Sequence, residues 1–529
     1  MMKRKFFNGW VLLTLALSGA MSFVSCESDD NSISDSKALN KSIVILYDND
    51  VHCNIDGYTQ MRGLHDAIVR SDTSYVGMVS SGDYLQGGLA GSISHGQFIV
   101  DIMKNMGYDA VTLGNHEFDY RMARLQELLS KMGTNIVCSN LFQYGESVPM
   151  YHPYIIKQYG NKRIAFVGVT TPETMDLEAY SFYDDERNQT YDLRTKECYT
   201  IVQQATDKAR QEGADYVVVL AHLGEVNSDT GVDSHGLVAA TRGIDAVLDG
   251  HTHSVIPCDW VENLDGKKIP VSQTGTKFAN VGKLWISPDG QVRTSLVAKE
   301  DIPYENAAIT RTTDSIKTLL KTVTDKKMAT CDFDLNAMEG SEWTVRRQET
   351  SIGNLITDAH RALTGSQIAV MNGGGIRSNI KAGIISYGDV VNVQPNDNYV
   401  CVIEATGEEI LNMLINCTAK LPEQEGSFPQ VSGMKYTIHT GSHTVTDVLV
   451  QDEGADTYSP LNLQARYKVT INDYYANGGF YRTLQDCRLI ETTSMLTRDA
   501  LANYLFLGLS GVVPAKYKEP EGRITILYD

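Results

Sequence analysis

The chain has 529 residues, and its 46 Lys and Arg against 65 Asp and Glu give a formal net charge of −19. Hydrophobic residues make up 42% and charged residues 21% of it, a profile typical of a globular protein with two or three domains of ordinary size. The acidic balance argues against nucleic-acid binding, because phosphate backbones require clustered Lys and Arg. An anionic substrate would need local cations to hold it.

The N-terminus resembles a bacterial lipoprotein signal. Three basic residues precede an apolar run over residues 10–24, whose uninterrupted stretches are shorter than the ~20 residues of a membrane-spanning helix. We therefore expect a signal peptide over residues 1–25, lipidation of Cys26, and a flexible tether over residues 26–40. This predicts an exported bacterial lipoprotein, anchored in the membrane through Cys26 and facing the periplasm or the surface of the outer membrane. The alternative is a soluble secreted protein in which Cys26 is incidental.

From residue 43 onward, short β-branched runs alternate with amphipathic helical patterns, which predicts layered α/β architecture. Strands are predicted at residues 43–46, 76–79, 110–113, 164–169, 216–220, 246–248 and 368–371. Helices are predicted to end at Gly107 and Gly133, to cover residues 306–329, and later to cover residues 351–363, 408–417 and 498–505. We expect a first domain over residues 41–307, a connecting helix over residues 308–333 and a second domain over residues 334–529.

The nine cysteines give little sign of a metal or disulfide framework. None forms a CxxC pair, so a zinc ribbon is not expected. An exported protein can form disulfides, but the sequence does not give their pairing. We expect most of the eight cysteines after Cys26 to be buried free thiols.

Metal-ligating residue types follow five predicted strands. They lie in the segments 48–52, 82–83, 114–119, 221–222 and 250–253. Because ligands bind beyond the carboxyl ends of strands in layered α/β sheets, we expect these side chains to meet at one edge. Each segment alone is a weak signal, and their coincidence carries the inference. Imidazole and carboxylate ligands suit Zn, Mn, Fe, Ni or Co, and their number favours a metal pair about 3.5–4 Å apart.

The set DxH, GD, GNHE, H and GHTH resembles the calcineurin-like metallophosphoesterases. With the strings GNHEFDY and NGGGIR, the chain is similar to the bacterial 5′-nucleotidase/UDP-sugar hydrolase family from about residue 41 onward. The resemblance implies a β-sandwich with flanking helices that holds the metals, followed by a second α/β domain that binds substrate.

The resemblance also implies roles for individual residues. Two divalent metal ions (Zn, Mn, Co, Ni or Fe) would be bound, one by Asp50, His52, Asp83 and His253 and the other by Asp83, Asn115, His222 and His251. A hydroxide bridging the metals would attack phosphorus. His116 would act at the leaving-group oxygen, and Asp119 would orient its imidazole.

In the second domain, the resemblance implies that Arg346 and Arg377 bind phosphate, while Asn372 and Tyr474 contact the base. Three positions depart from the family pattern. Asn396 stands where a second stacking aromatic is expected, Phe480 where an Asp grips the ribose, and Cys53 where a Gly follows the DxH motif. Hydrolysis of a phosphate ester is therefore better supported than nucleoside specificity.

The sequence thus predicts an exported metal-dependent phosphohydrolase that acts on 5′-nucleotides, with no obligate protein partner. Alternatives with the same chemistry are a 2′,3′-cyclic nucleotide phosphodiesterase, a UDP-sugar hydrolase or a hydrolase of a non-nucleoside phosphate ester. An alternative of another class is a lipoprotein that binds nucleotides without turnover.

Overall fold

The computed structural model describes residues 41–184, 188–226, 230–476, 482–485 and 487–528. The predicted signal peptide, the lipidation site Cys26, the tether and Phe480 lie outside these residues. Across the described ranges, no helix is both long enough and apolar enough to span a bilayer. The described residues of Lys41–Asp529 form one compact unit, and the domain boundaries at residues 307 and 334 stay predictions.

The first part of the chain alternates strands and helices. In chain order they are β1 (Ser42–Asp48), α1 (Gly57–Ser71), β2 (Ser74–Ser80), α2 (Gly88–Ser94), α3 (Gln97–Met106), β3 (Ala110–Val111), α4 (Arg121–Met132), β4 (Phe142–Gln143), β5 (Tyr154–Tyr159), β6 (Lys162–Thr170), α5 (Thr174–Leu177), α6 (Ala179–Phe182), β7 (Tyr191–Asp192), α7 (Cys198–Gln211), β8 (Tyr216–His222), α8 (Ser234–Ala239), β9 (Ala246–Leu248), β10 (Val255–Glu262), β11 (Lys268–Thr274), β12 (Asn280–Ile286) and β13 (Val292–Ala298).

These strands form two facing sheets, in the orders β13-β12-β1-β2-β3 and β10-β11-β9-β8-β6-β5. Strands β1, β2 and β3 run parallel, as do β6, β8, β9 and β11. Side chains alternate along β1, so that Ile43 and Ile45 pack between the sheets with Phe166 and Leu220. Leu46 points the other way and packs against the helices that cover the first sheet. The result is a β-sandwich with flanking helices.

The second part begins with a long helix and continues as mixed strands and helices. The elements are α9 (Ala307–Thr324), β14 (Lys327–Cys331), α10 (Ser351–Thr364), β15 (Ile368–Asn372), β16 (Gly383–Ser386), α11 (Tyr387–Val393), β17 (Tyr399–Thr406), α12 (Gly407–Thr418), β18 (Pro429–Ser432), β19 (Met434–His439), β20 (Thr444–Gln451), β21 (Tyr458–Pro460), β22 (Arg466–Asn472), α13 (Asp473–Ala476), α14 (Arg482–Gln485), β23 (Arg488–Leu496), α15 (Thr497–Asn503) and β24 (Ile524–Leu527).

Two sheets dominate this part, in the orders β18-β15-β22-β17-β23 and β21-β20-β19-β24. Their apolar faces share a core with α12, in which Ile403, Leu414 and Tyr436 are buried. Helices α10, α11 and α15 form a second core with the pair β14–β16. The mixed α/β fold class is confirmed.

The predicted elements are largely present, with two corrections. The helix expected over residues 306–329 ends at Thr324, and residues Lys327–Cys331 form a strand. The apolar face that predicted this helix, including Ile316 and Leu320, packs on the core beside the first sheet. The last predicted helix ends in a π-helical turn, Tyr504–Gly508. Of the eight described cysteines, all but Cys258 are buried, as expected for most.

Candidate metal and substrate site

The predicted metal ligands lie at one edge of the sandwich, and all but His222, the last residue of β8, are on short turns. Each lies at or just past the carboxyl end of a parallel strand, β1, β2, β3, β8 or β9, and these ends bring the ligands together. The turns are tight enough to require left-handed backbone at non-glycine ligands: Asp50 (φ 51°), His52 (φ 41°), Asp83 (φ 59°), His251 (φ 88°) and His253 (φ 60°). Such conformations are costly for L-residues and are concentrated at functional sites.

Four of the ligands form one tight group: Asp50, His52, Asp83 and His253 each offer an atom within 4.8 Å of the others. His52 Nε2 lies 3.0 Å from His253 Nε2, and His253 Nε2 lies 3.4 Å from Asp50 Oδ1. Ligand atoms held about 2.0–2.2 Å from one metal ion in tetrahedral geometry lie roughly 3.3–3.6 Å apart. The spacing therefore fits a shared ion.

The other predicted ligands lie beside this group. His222 Nε2 is 3.2 Å from Asp83 Oδ2 and 3.8 Å from Asp50 Oδ1. His251 Nδ1 is 3.0 Å from Asn115 Oδ1, and the His251 amide donates to Asp50 at 3.0 Å. Asp83 and Asp50 thus lie between the two sets of imidazoles.

Hydrogen bonds fix which nitrogen each imidazole turns inward. His52 Nδ1–H donates to the Gln86 carbonyl at 3.3 Å, and His222 Nδ1–H donates to the Ser81 carbonyl at 2.8 Å. Each imidazole thus turns its Nε2 toward the centre. His251 has the opposite arrangement, because its Nε2–H donates to a carboxylate and its Nδ1 faces Asn115.

The electrostatics of the centre fit a bound cation. Burial would lower the pKa of His222, but Asp83 and Asp50 raise it to about 10. The carboxylates thus favour positive charge at the centre, and its donor set of imidazoles, carboxylates and an amide suits a transition metal or zinc. These residues form a candidate metal site. The identity of the metal ions and the role of each ligand stay predictions.

Glu117 is a functional residue that the sequence reasoning did not single out. Its buried carboxylate accepts hydrogen bonds from the amides of Asp83 (2.8 Å), Tyr84 (2.8 Å), Leu85 (3.0 Å) and Gly114 (2.6 Å). Burial raises the pKa of Glu117 to about 7. The side chain ties the turn after β2 to the turn after β3. The signal for it was the fourth letter of GNHE.

Glu173 is a second site residue that the sequence reasoning did not single out, and it belongs to no motif. Its Oε2 accepts the hydrogen bond from His251 Nε2 at 3.0 Å. Carboxylates that bind the outer nitrogen of a ligating histidine fix its tautomer and raise its basicity. Glu173 reaches His251 from a turn after β6, 78 residues away in sequence.

His116 lies beside the candidate metal site on the 3₁₀ turn His116–Phe118. Its Nδ1–H donates to the Asp119 carboxylate at 3.0 Å, and its amide donates to Asp83 Oδ1 at 2.9 Å. Burial would lower the pKa of His116, but the charges of Asp119 and Asp83 raise it well above its ordinary value. Glu178 offers a further carboxylate oxygen within 4.8 Å of this pair.

The predicted substrate residues share a cavity of about 350 Å³ with the His116 pair. Its lining includes Asn115, His116, Asp119, Glu178, Arg346, Asn372, Arg377, Asn396, Asp397, Asn398, Glu425 and Tyr474. The Arg346 guanidinium lies 4.7 Å from the Trp343 ring, and its Nε has no hydrogen-bond partner in the described part of the chain. The structure therefore brings both arginines, Asn372 and Tyr474 to the same space as His116.

Two of the three family departures are visible. Asn396 lines the cavity and accepts a hydrogen bond from Gln86 Nε2 at 3.3 Å. Cys53 has φ 57°, a conformation that favours glycine, and its thiol donates to the Leu85 carbonyl at 3.0 Å. The turn thus accommodates Cys53 as a buried side chain.

Two family models match the chain. The 5′-nucleotidase C-terminal domain matches residues 327–485, and the bacterial capsule synthesis protein PGA_cap matches residues 79–271. The crystal structure of the 5′-nucleotidase precursor from Thermus thermophilus is 26% identical with a TM-score of 0.71, over 92% of this chain and 100% of that one. These matches support the 5′-nucleotidase family, which the sequence motifs of this chain resemble.

Curated relatives show the same similarity. A 5′-nucleotidase from Vibrio parahaemolyticus is 28% identical over 71% of this chain and 71% of its own length. The trifunctional nucleotide phosphoesterase protein YfkN from Bacillus subtilis is 27% identical over 83% of this chain, and the chain spans about a third (32%) of that longer relative.

The match to the Thermus thermophilus structure confirms the predicted fold, a calcineurin-like sandwich followed by a 5′-nucleotidase C-terminal domain. It also confirms the predicted class of enzyme, the metal-dependent phosphoesterases.

Proposed function

We propose that this chain releases phosphate from nucleoside 5′-monophosphates, using two divalent metal ions. The observation that supports this most is the single cavity into which both the His116–Asp119 pair and the Arg346–Arg377 pair project, next to the candidate metal ligands. The proposal is also supported by the relatives of the chain, which include 5′-nucleotidases and a nucleotide phosphoesterase.

The division of labour follows the two parts of the chain. Residues 41–307 form the metal-binding domain of the proposal, residues 308–333 the connection, and residues 334–529 the substrate-binding domain. Metal ions bound to the seven ligands would supply an activated water and neutralise the phosphoryl oxygens. Asp83 lies within reach of both imidazole sets, so it would be a ligand common to both metal ions.

The remaining steps belong to side chains at the cavity. Arg346 and Arg377 bind the phosphate oxygens, a task for which planar guanidinium groups are suited. His116, held by Asp119 through Nδ1, presents its Nε2 to the leaving oxygen and donates a proton to it. Asn372 and Tyr474 contact the base.

We also propose that the chain is exported and anchored through a lipid on Cys26. The basic n-region, the short apolar run and the cysteine that follows support it. The similar protein from Thermus thermophilus is described as a 5′-nucleotidase precursor. A Cys26→Ala variant should leave the membrane fraction for the soluble one. Retention of the variant in washed membranes would contradict a lipid anchor.

The proposed reaction is tested with a substrate panel. The enzyme, stripped with a chelator and reloaded with Mn, Zn, Co or Mg, is given nucleoside 5′-monophosphates, 2′,3′-cyclic AMP, UDP-glucose and p-nitrophenyl phosphate, and phosphate release is followed. We expect the highest kcat/KM for the 5′-monophosphates. If nucleotides bind but are not hydrolysed with any of the four metals, the chain is a nucleotide-binding lipoprotein instead.

A second substrate class has one observation in its favour. Asn396 stands on the cavity wall where the family pattern has an aromatic side chain, so the base would lack one stacking face. That favours phosphate esters in which a small polar group replaces the nucleoside. A panel led by p-nitrophenyl phosphate or a sugar phosphate, with weak activity on all nucleotides, would support this alternative.

A further inference from the structure

Arg121, the first residue of α4, has a backbone conformation unusual for its type. Its φ is +70°, in the left-handed region that favours glycine. Left-handed arginine is retained only where the surrounding structure holds it. Arg121 follows Asp119 by two residues, so the strain lies directly beside the pair that includes His116.

The Arg121 side chain crosses to the second part of the chain. Its Nη2 donates to Asp473 Oδ2 at 2.8 Å, and its guanidinium lies 5.8 Å from the Tyr399 ring. The other oxygen of Asp473 accepts from Asn398 Nδ2 and from the Tyr399 amide, each at 3.1 Å. The Asp473 side chain is only 5% exposed. Arg121 is therefore the cation that accompanies a buried carboxylate.

Asp473 joins two walls of the substrate cavity. Asn398, which it binds, lines that cavity, and so does Tyr474, the residue that follows it. Burial raises the pKa of Asp473 to about 6, although the charge of Arg121 lowers it. Loss of this guanidinium would therefore leave a buried carboxylate without its cation and would favour its protonated form. The segments that carry Asn398 and Tyr474 thus share one polar anchor, and the anchor is fixed to α4.

We propose that Arg121 is a positioning residue that sets Asn398 and Tyr474 against the His116–Asp119 pair and so determines affinity for the organic part of the substrate. The inference rests on the proposed function for the identity of that part as a nucleoside. The contact with Asp473 explains why arginine occupies this strained position, because a glycine would relax the backbone but could not reach Asp473.

The test separates strain from contact. Arg121→Gly removes the contact and relieves the backbone, whereas Arg121→Ala removes the contact and keeps the strain. The control is His443→Gly, at an exposed residue with φ 51° on the β19–β20 turn, which relieves strain far from any cavity residue in sequence. KM and kcat are measured with AMP and with p-nitrophenyl phosphate, and melting temperature is followed in parallel.

In Arg121→Gly, we expect KM for AMP to rise roughly ten-fold more than KM for p-nitrophenyl phosphate, because a charge-assisted hydrogen bond is lost. The melting temperature should fall in Arg121→Ala, which keeps the strained backbone, and should fall less in Arg121→Gly, which relieves it. Adding Arg121→Gly to Asp473→Asn should raise KM little further. Equal changes of KM for both substrates, or none, would overturn the inference.

A readout without substrate keeps this test separate from the proposed reaction. The Tyr399 amide is hydrogen-bonded to Asp473, so its hydrogen exchange should accelerate in Arg121→Gly and not in His443→Gly. If the wild-type enzyme cleaves p-nitrophenyl phosphate but not AMP, the proposed nucleotide substrate is wrong. The hydrogen exchange of the Tyr399 amide then tests the positioning role of Arg121 by itself. Unchanged protection of Tyr399 would then overturn the positioning role.

Discussion

The metal-facing and substrate-facing sides of the cavity are built differently. On the metal-facing side, Asp50 and His222 are fully buried and a backbone carbonyl orients the imidazole of His222, although the His253 side chain is 45% exposed. On the substrate-facing side, Arg377 and Tyr474 come from loops and helix starts of the second part and are less enclosed. One side is organised before a ligand arrives, and the other is organised by contacts across the cavity.

The difference separates chemistry from specificity. Buried, hydrogen-bonded ligands hold fixed geometry, which a metal-dependent reaction requires. Polar groups that line an open cavity can change without disturbing that geometry. Substitutions on the metal-facing side should therefore affect every substrate equally, whereas those on the substrate-facing side should change the ranking of substrates.

The largest effect is expected from Asp83→Ala. Asp83 contacts both imidazole sets, so its loss should lower turnover of all substrates by at least about 10,000-fold and reduce bound metal. Phosphate release and metal content by mass spectrometry measure these two effects. Replacing the exposed Asp301 with Ala is the matched control. An Asp83→Ala enzyme with normal activity and full metal content would contradict the shared-ligand interpretation.

His116→Ala should lower kcat by about 100- to 10,000-fold, the range for loss of a general acid. Unlike Asp83→Ala, it should keep its metal, because His116 bonds to Asp119 and only its amide contacts Asp83. His443→Ala, at an exposed histidine, serves as control. Loss of metal from the His116 variant would make this residue a ligand.

Acid should lower the stability of the second part of the chain, whether or not metal ions are bound. His360 on α10 is buried, and burial lowers its pKa to about 4, although its Nε2 donates to the Thr497 carbonyl. The unfolded chain binds a proton near pH 6.5 that the folded chain rejects, so stability is full above pH 6.5 and is lost as pH falls toward 4. The loss reaches about 3 kcal/mol.

Urea unfolding of the chelator-treated protein between pH 7 and pH 4 measures this loss. His360→Gln keeps a donor toward Thr497 and has no charge to gain, so its stability should fall less than that of the wild type over the same range. Parallel pH profiles for the two proteins would show that His360 does not carry the acid sensitivity.

The contrast between the two sides also explains what sequence could predict. The ligands were predictable because each follows a strand in a short motif, and parallel strands end at one edge. Glu173 was not, because it approaches His251 from a turn with no motif. Arg121 was hidden for another reason, since its partner Asp473 is 352 residues away and the strain appears only in its backbone angle. The β14 strand was missed because only two residues separate it from the end of α9, with no glycine or proline to mark the end of the helix.

Glu173→Gln tests whether the metal-facing side depends on such unpredicted support. The substitution keeps the size of the side chain but weakens the acceptor for His251 Nε2, so metal affinity should fall about 10- to 100-fold. Competition with a fluorescent chelator measures it, and Glu146→Gln at an exposed glutamate is the control. Unchanged affinity would mean that Asn115 alone orients His251.

The smallest effect, on the substrate-facing side, tests the specificity argument. Stacking of a base on an aromatic side chain contributes ~1–3 kcal/mol in single-strand binding proteins. Asn396 lines the same cavity as Tyr474, so Asn396→Phe places a second aromatic ring there. The gain is partly offset because Gln86 loses its acceptor, at about 0.5–1.5 kcal/mol. KM for purine 5′-monophosphates should therefore fall only about three- to ten-fold.

Because the metal-facing side is untouched, Asn396→Phe should leave kcat for p-nitrophenyl phosphate within about two-fold and its KM nearly constant, since a small aryl group gains less from stacking than a base does. Steady-state kinetics with AMP, its 2′-deoxy form and the aryl phosphate measure the contrast. A uniform change for all three would place Asn396 among the residues that set geometry. A selective fall for both purine esters would show that the open side of the cavity ranks substrates while the buried side performs the reaction.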